Sequence, residues 1–173
     1  MAHENLVIEI EGQEIPALYS DLVQLEVELD DELAAMFRLR LSLTPQPDGT
    51  WPYIDDAQLA LWQKVSILAG FDNAVDLLIS GYITHICPSF PPEITGCVLE
   101  IWGMDGSVWL DRTETRKAWP NKKDSDIATE LLQLHGFTPV VEDTAIVHDE
   151  AISTIIQCES DMQFLRRLAL RNG

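Results

Sequence analysis

Basic residues are scarce: 11 Lys and Arg stand against 29 Asp and Glu in 173 residues, a formal net charge of −18. A surface this acidic repels phosphate backbones and anionic headgroups, so neither nucleic acid nor a membrane surface is an expected partner. There is also no apolar run near the ~18–20 residues that a membrane span requires. The first residues, Met-Ala-His-Glu-Asn, lack a basic segment followed by an apolar one, so no secretory leader is expected, and synthesis and assembly are expected in the cytoplasm. Cysteine is rare as well. Cys87, Cys97 and Cys158 are an odd number at spacings that suit neither a disulfide framework nor a zinc site, and they are expected as reduced, buried thiols. The sequence has no Gly-x-Gly-x-x-Gly, no phosphate-binding Gly-rich loop and no Gly-x-Ser-x-Gly elbow, so it offers no expected cofactor, metal or catalytic residue.

What is present is apolar matter sufficient for a core: 46% hydrophobic residues and five Trp, with only 23% charged. High net charge therefore does not mean disorder here. The charge is uneven. Residues 1–110 carry 18 acidic and 3 basic side chains, whereas 111–173 carry 11 and 8. Between the two lies a basic stretch, Arg112, Arg116, Lys117, Lys122 and Lys123 against Glu114 alone.

The first part reads as strands. In Asp21 to Leu29, Val23, Leu25, Val27 and Leu29 alternate with Gln24, Glu26 and Glu28; in Phe37 to Thr44, Phe37, Leu39, Leu41 and Leu43 alternate with Arg38, Arg40, Ser42 and Thr44. Period two gives each strand one apolar and one polar face, the first anionic and the second cationic. If the two pair, Arg38 and Arg40 can sit opposite Glu26 and Glu28. Further strands are predicted at Leu6 to Ile10, Ile15 to Leu18, Lys64 to Ala69, Asp76 to Ile86 and Ile94 to Trp102. Pro45 to Gly49 and Pro88 to Pro92 read as loops, and 55–63 as a short helix or an excursion.

The period changes in the second part. Asp124-Ser125 offers a helix N-cap, with Ile127, Leu131 and Leu134 at helical spacing and Gly136 at the C′ position. Ser160 to Gln163 has capping-box spacing ahead of Leu165, Leu168 and Ala169. Pro139 to Glu142 and Ile152 to Cys158 are predicted as short strands. The fold class is thus α+β and β-rich, with a small antiparallel barrel or sandwich followed by a small α/β unit with two helices.

Chemistry is thinly represented. Asp30-Asp31-Glu32, Asp55-Asp56 and Glu142-Asp143 lack the spacing of a calcium loop and read as solvated charge. His85 and Cys87 could share a strand face, yet a metal would need two more ligands. His148-Asp149-Glu150 resembles a fragment of a base and its orienter, without a nucleophile motif. The tryptophans, Trp51, Trp62, Trp102, Trp109 and Trp119, have no repeated spacing and read as core or interface.

Three segments together resemble one family. Gly81-Tyr82-Ile83-Thr84-His85-Ile86 ends the barrel-like part. Asp105 to Arg112 runs through Lys117-Ala118-Trp119 into Lys123-Asp124-Ser125-Asp126-Ile127-Ala128 and Leu134-His135-Gly136-Phe137. Gln157 to Ala169 leads to Arg171-Asn172-Gly173. Their order and spacing resemble the phage late control protein D family, which is similar to VgrG proteins and to the baseplate hubs of contractile tails and injection systems. The resemblance implies a non-enzymatic hub: a homotrimer joining a six-fold tail tube to a three-fold spike, with tail tube protein, spike and other baseplate proteins as partners, within a phage-tail-like particle. It implies two tube-like barrels per chain, so 1–104 reads as a tube-like antiparallel β-barrel, complete or awaiting a C-terminal part, 105–173 as a small α/β hub domain, and the sequence as the first portion of a longer hub. In such a hub the face of Glu26, Glu28, Arg38 and Arg40 is the candidate channel or subunit-interface face. The competing readings are a small-ligand or carbohydrate-binding β module using exposed tryptophans, and a hydrolase using Asp55 and Asp56.

Overall fold

The computed structural model describes residues 4–30, 33–54, 57, 59–71, 74–92 and 96–173. Asp31, Glu32, Asp55, Asp56 and Ile94 lie outside the described residues, and with them most of the first two acidic runs. The chain is β-rich α+β and divides into two compact units, Met1–Gly106 and Ser107–Gly173.

The first unit contains β1 (Glu4–Ile10), β2 (Gln13–Glu14), a one-turn helix α1 (Ala17–Asp21), β3 (Leu22–Glu28), β4 (Met36–Ser42), β5 (Lys64–Phe71), β6 (Ala74–Ser89) and β7 (Val98–Asp105). They form one seven-stranded sheet of order β2-β1-β5-β6-β7-β4-β3 in which every pairing is antiparallel. The order is open, and no pairing among the described residues joins β2 to β3 to close a barrel. β1 turns into β2 through Glu11 (φ 51°) and Gly12 (φ 74°), the two left-handed residues that a tight hairpin needs.

The alternation seen in the sequence selects the buried face. Phe37, Leu39 and Leu41 of β4, Leu99 and Ile101 of β7, Ile83 of β6, Val65 and Ile67 of β5, and Ile8 and Ile10 of β1 form one continuous core. Each such side chain contributes about 1.5–3 kcal/mol by leaving water. Phe37 fits because β7 places Gly103 against it: a Cβ there would stand 2.1 Å from the ring.

The second unit contains a 3₁₀ turn reaching Asp111, β8 (Glu114–Trp119), β9 (Lys122–Lys123), α2 (Asp124–Leu134), β10 (Val147–His148), β11 (Ile155–Ser160) and α3 (Asp161–Asn172). β8 pairs with β11, and β9 with β10. Trp119, Ile127, Leu131, Ile155, Phe164 and Leu168 make a second core. Ser160 caps α3, its Oγ accepting the Gln163 N–H at 3.3 Å. Past α2, Gly136 adopts φ 79°, as a C′ glycine does.

Several expectations are corrected. Ile15 to Leu18 is not a strand, because Pro16 opens the short helix α1 instead. Pro139 to Glu142 forms no strand; the partner of β9 is β10, further along the chain. The N-cap of α2 is Lys123 rather than Asp124. β6 continues through Pro88 and Ser89, pairing only with β7 beyond Tyr82, which leaves one side where a missing N–H breaks no ladder. Of the cysteines only Cys97 is buried; Cys87 and Cys158 project from the exposed faces of their strands.

Candidate functional site

The polar face of the large sheet collects the predicted charges. Across it, Glu26 of β3 stands opposite Arg38 of β4, Arg38 opposite Trp102 of β7, and Trp102 opposite His85 of β6. One row along, Gln24, Arg40, Glu100 and Cys87 stand in the same order. Arg38 Nη2 donates to Glu100 Oε1 at 2.7 Å, its Nη1 lies 3.6 Å from Glu26 Oε2, and its guanidinium lies 4.7 Å from the centre of the Trp102 ring. That hydrogen bond, with the nearby carboxylates, pushes the Arg38 pKa further up. Arg40 Nε lies 3.9 Å from Glu100 Oε1, and Gln24 Nε2 donates to Glu26 Oε1 at 2.7 Å.

Sequence pattern identified Glu26, Arg38 and Arg40 as members of this face, and the structure brings them together. Glu28 lies on the same face but stands opposite Met36 and forms no ion pair with either arginine. Glu100 was missed. Its signal was present in the alternation of Val98, Glu100 and Trp102, but periodicity does not say which strand flanks β4 on its second side. The resulting cluster of Glu26, Glu100, Arg38 and Arg40 is electrically balanced, so the strong acidity of residues 1–110 resides elsewhere. The Nε–H groups of Arg38 and Arg40 are buried without a hydrogen-bond partner among the described residues.

The second unit holds two polar networks. Trp119 Nε1 donates to Gln157 Oε1 at 3.2 Å, Gln157 Nε2 donates to Asp161 Oδ1 at 2.5 Å, and His135 Nε2 lies 2.7 Å from Asp161 Oδ2. In the other, Asp124 receives Arg171 through Nη2 and, at 3.0 Å, Nε; Asn172 donates to it at 2.8 Å and His148 Nε2 lies at 3.0 Å. All of these except His148 are residues of the segments that carried the family resemblance, and here they hold β8, β10, β11, α2 and α3 together. His148 therefore serves as a partner of Asp124. Among the described residues no serine or cysteine is hydrogen-bonded to it, and Ser125 Oγ is engaged with Asp143 and Thr144.

Other candidate chemistry is dispersed. No group of three His, Cys, Asp or Glu among the described residues could hold a metal ion. His85 Nδ1 lies 3.0 Å from its neighbour Thr84 Oγ1. Asp143 of the third acidic pair binds Lys123 Nζ at 2.9 Å. Four of the five tryptophans meet neighbouring side chains in this way: Trp119 is buried and stacked on Phe164, Trp102 lies under Arg38, Trp109 under Arg112, and Trp51 meets Phe90 edge-on at 4.9 Å, whereas Trp62 is exposed. No helix among the described residues is long and apolar enough to cross a membrane.

Comparison with solved structures identifies the fold. Over 98% of its length the chain superposes on 48% of the prophage MuSo2 43 kDa tail protein from Shewanella oneidensis, with a TM-score of 0.69 at 16% identity. A tail protein from Neisseria meningitidis MC58 matches 96% of the chain with 45% of its own, at a TM-score of 0.62 and 14% identity. The c3393 protein of E. coli, described as a type VI secretion component with structural similarity to the T4 tail proteins gp27 and gp5, matches 97% of the chain with 40% of its own, at 0.56 and 12%. The chain thus has a phage-tail-protein fold and spans less than half the length of each of these proteins. No curated protein sequence matches it. The Alg8 N-terminal domain family, by contrast, matches residues 2–173, so the chain is a member of that family.

Proposed function

We propose that this protein is a non-enzymatic structural part of a phage-tail-like or contractile injection particle, specifically a baseplate hub subunit that forms a homotrimer between a six-fold tail tube and a three-fold spike. The observation that carries the reading is the likeness of nearly the whole chain, both units included, to phage tail proteins. It is supported by the second unit, whose most distinctive residues are spent on internal cross-links. Tail tube protein, spike and other baseplate proteins are the proposed partners, and assembly in the cytoplasm precedes any export of the particle.

Within that reading the Glu26, Arg38, Arg40 and Glu100 cluster belongs to a subunit interface and not to a channel wall. A balanced cluster gives register without a net field. Light scattering on the purified chain tests the trimer: the expected mass is three times the 19.5 kDa of one chain, or a multiple of that. Arg40→Glu should abolish the three-fold multiple. A chain monomeric at all accessible concentrations, and still monomeric with tail tube protein added, would sink the hub reading.

A further inference from the structure

β6 is sixteen residues long, but β7 covers only Gly81 to Ser89 of it. Residues Ala74 to Ser80 pair with β5 on one side and with no strand among the described residues on the other. This open edge is apolar. Val75, Leu77 and Leu78 are exposed, as is Phe71 across the hairpin, and Asp76 is the single charge in the seven residues. A short segment of high β-propensity with one charge, no proline and no glycine is a template for another strand.

The contrast with β3 is informative, since β3 is an edge strand of the same sheet and carries Gln24, Glu26 and Glu28. Charge of this kind blunts an edge. The β6 edge has a bulge at Leu78, where the register with β5 shifts between Ile67 and Leu68, but neither lysine nor proline.

We infer that Ala74 to Ser80 pairs antiparallel with the same segment of a second copy of this chain, across a two-fold axis near Leu77. Charge selects this occupant over the β3 edge of another copy, which would bring Glu26 and Glu28 beside Asp76, and like charges across a ladder are destabilising. In the self-pairing, an axis at Leu77 sets Asp76 opposite Leu78 of the second copy, so no carboxylates face each other. One contact also satisfies both copies' open backbone edges at once, as an isologous interface does. It is a different surface from the one proposed for the trimer: alone it gives a dimer, and between trimers it gives six chains.

Light scattering of the full chain and of the Leu77→Lys and Val75→Lys variants tests this. Both sites are solvent-exposed, so the variants should fold, which far-UV circular dichroism checks. The expected result is that each variant halves the mass of the wild-type species, two chains to one or six to three, while Val23→Lys on the β3 edge leaves it unchanged. Hydrogen exchange should show amide protection between residues 75 and 79 in the wild type that Leu77→Lys removes. A trimer whose mass neither β6 variant changes overturns the self-pairing and leaves the hub reading standing. A dimer split by Leu77→Lys, with no three- or six-chain species, supports the self-pairing and counts against the hub reading. A wild-type monomer overturns the self-pairing.

Discussion

Arg38 bonds to Glu100 across the β4–β7 pair, 2.7 Å from Nη2 to Oε1, while Glu28, one strand away in the other direction, stands opposite Met36. Position in the ladder, not the number of carboxylates nearby in sequence, decides which charges meet.

A double-mutant cycle reads this difference directly. Replacing Arg38 by Met and Glu100 by Gln, singly and together, should give effects on the urea midpoint that are not additive, because contacting residues couple. The Arg38 and Glu28 cycle should be additive. Equal coupling in both cycles would mean that the face acts only through its overall charge.

Gln157 joins two buried groups that have no water to fall back on. Its amide accepts from Trp119 and donates to Asp161, and Gln157 itself is fully buried. Gln157→Leu keeps the volume but orphans a donor and an acceptor, each costing about 1–3 kcal/mol, so a loss of about 2–4 kcal/mol is expected. Adding Trp119→Phe removes the orphaned indole N–H and should recover part of it. Urea unfolding of the three variants measures both steps, and a Gln157→Leu protein as stable as the wild type would contradict the network.

Asp124 makes the second unit sensitive to acid. Burial alone pushes its carboxyl up, but the hydrogen bonds from Asn172 and Arg171, the Arg171 charge and the His148 contact outweigh it and hold the pKa below 3.8. A carboxyl depressed on folding contributes stability that is present above its unfolded pKa and is lost as pH falls through the folded one. Glu130, held down by Lys122 and Lys117, and Asp143, held down by Lys123 and Ser125, act in the same direction. Urea midpoints should therefore be insensitive to these groups above about pH 5 and fall below about pH 4. Asp124→Asn should be less stable than the wild type at neutral pH, with the gap narrowing in acid as Asp124 protonates. A gap constant with pH would assign the loss to packing.

Much of the fold was legible because it follows from single-chain periodicity. The alternation in β3, β4 and β7, the Ser160 cap and the Gly136 stop each depend on residues within a few positions of one another. α1 was not legible, since five residues after Pro16 cannot display a helical period and their apolar members imitate a strand. Neither was the pairing on the polar face. A bulge between Leu22 and Gln24 sets the β3 register, and β7, nearly sixty residues after β4, supplies Glu100. For the same reason the sequence could mark Lys123 to Ala128 and Gln157 to Asn172 as distinctive without revealing that Asp124 and Arg171 are partners.

Gly103 gives the sharpest test of core packing. It lies on the buried face of β7, and the Phe37 ring occupies the space that a Cβ would take, with ring atoms at 2.1 and 2.2 Å and the Tyr82 carbonyl oxygen at 2.6 Å. Neither neighbour can give way cheaply: Phe37 is fully buried within the core, and the Tyr82 carbonyl belongs to the β6–β7 pair. Adding one methyl in Gly103→Ala should therefore cost about 1–3 kcal/mol, as overpacking does, despite the better strand propensity of alanine. Gly103→Ala combined with Phe37→Leu should regain part of that loss, because the shorter side chain vacates the contested volume. Thermal denaturation of the single and double variants separates this from a backbone effect of glycine, for which trimming Phe37 would bring no recovery.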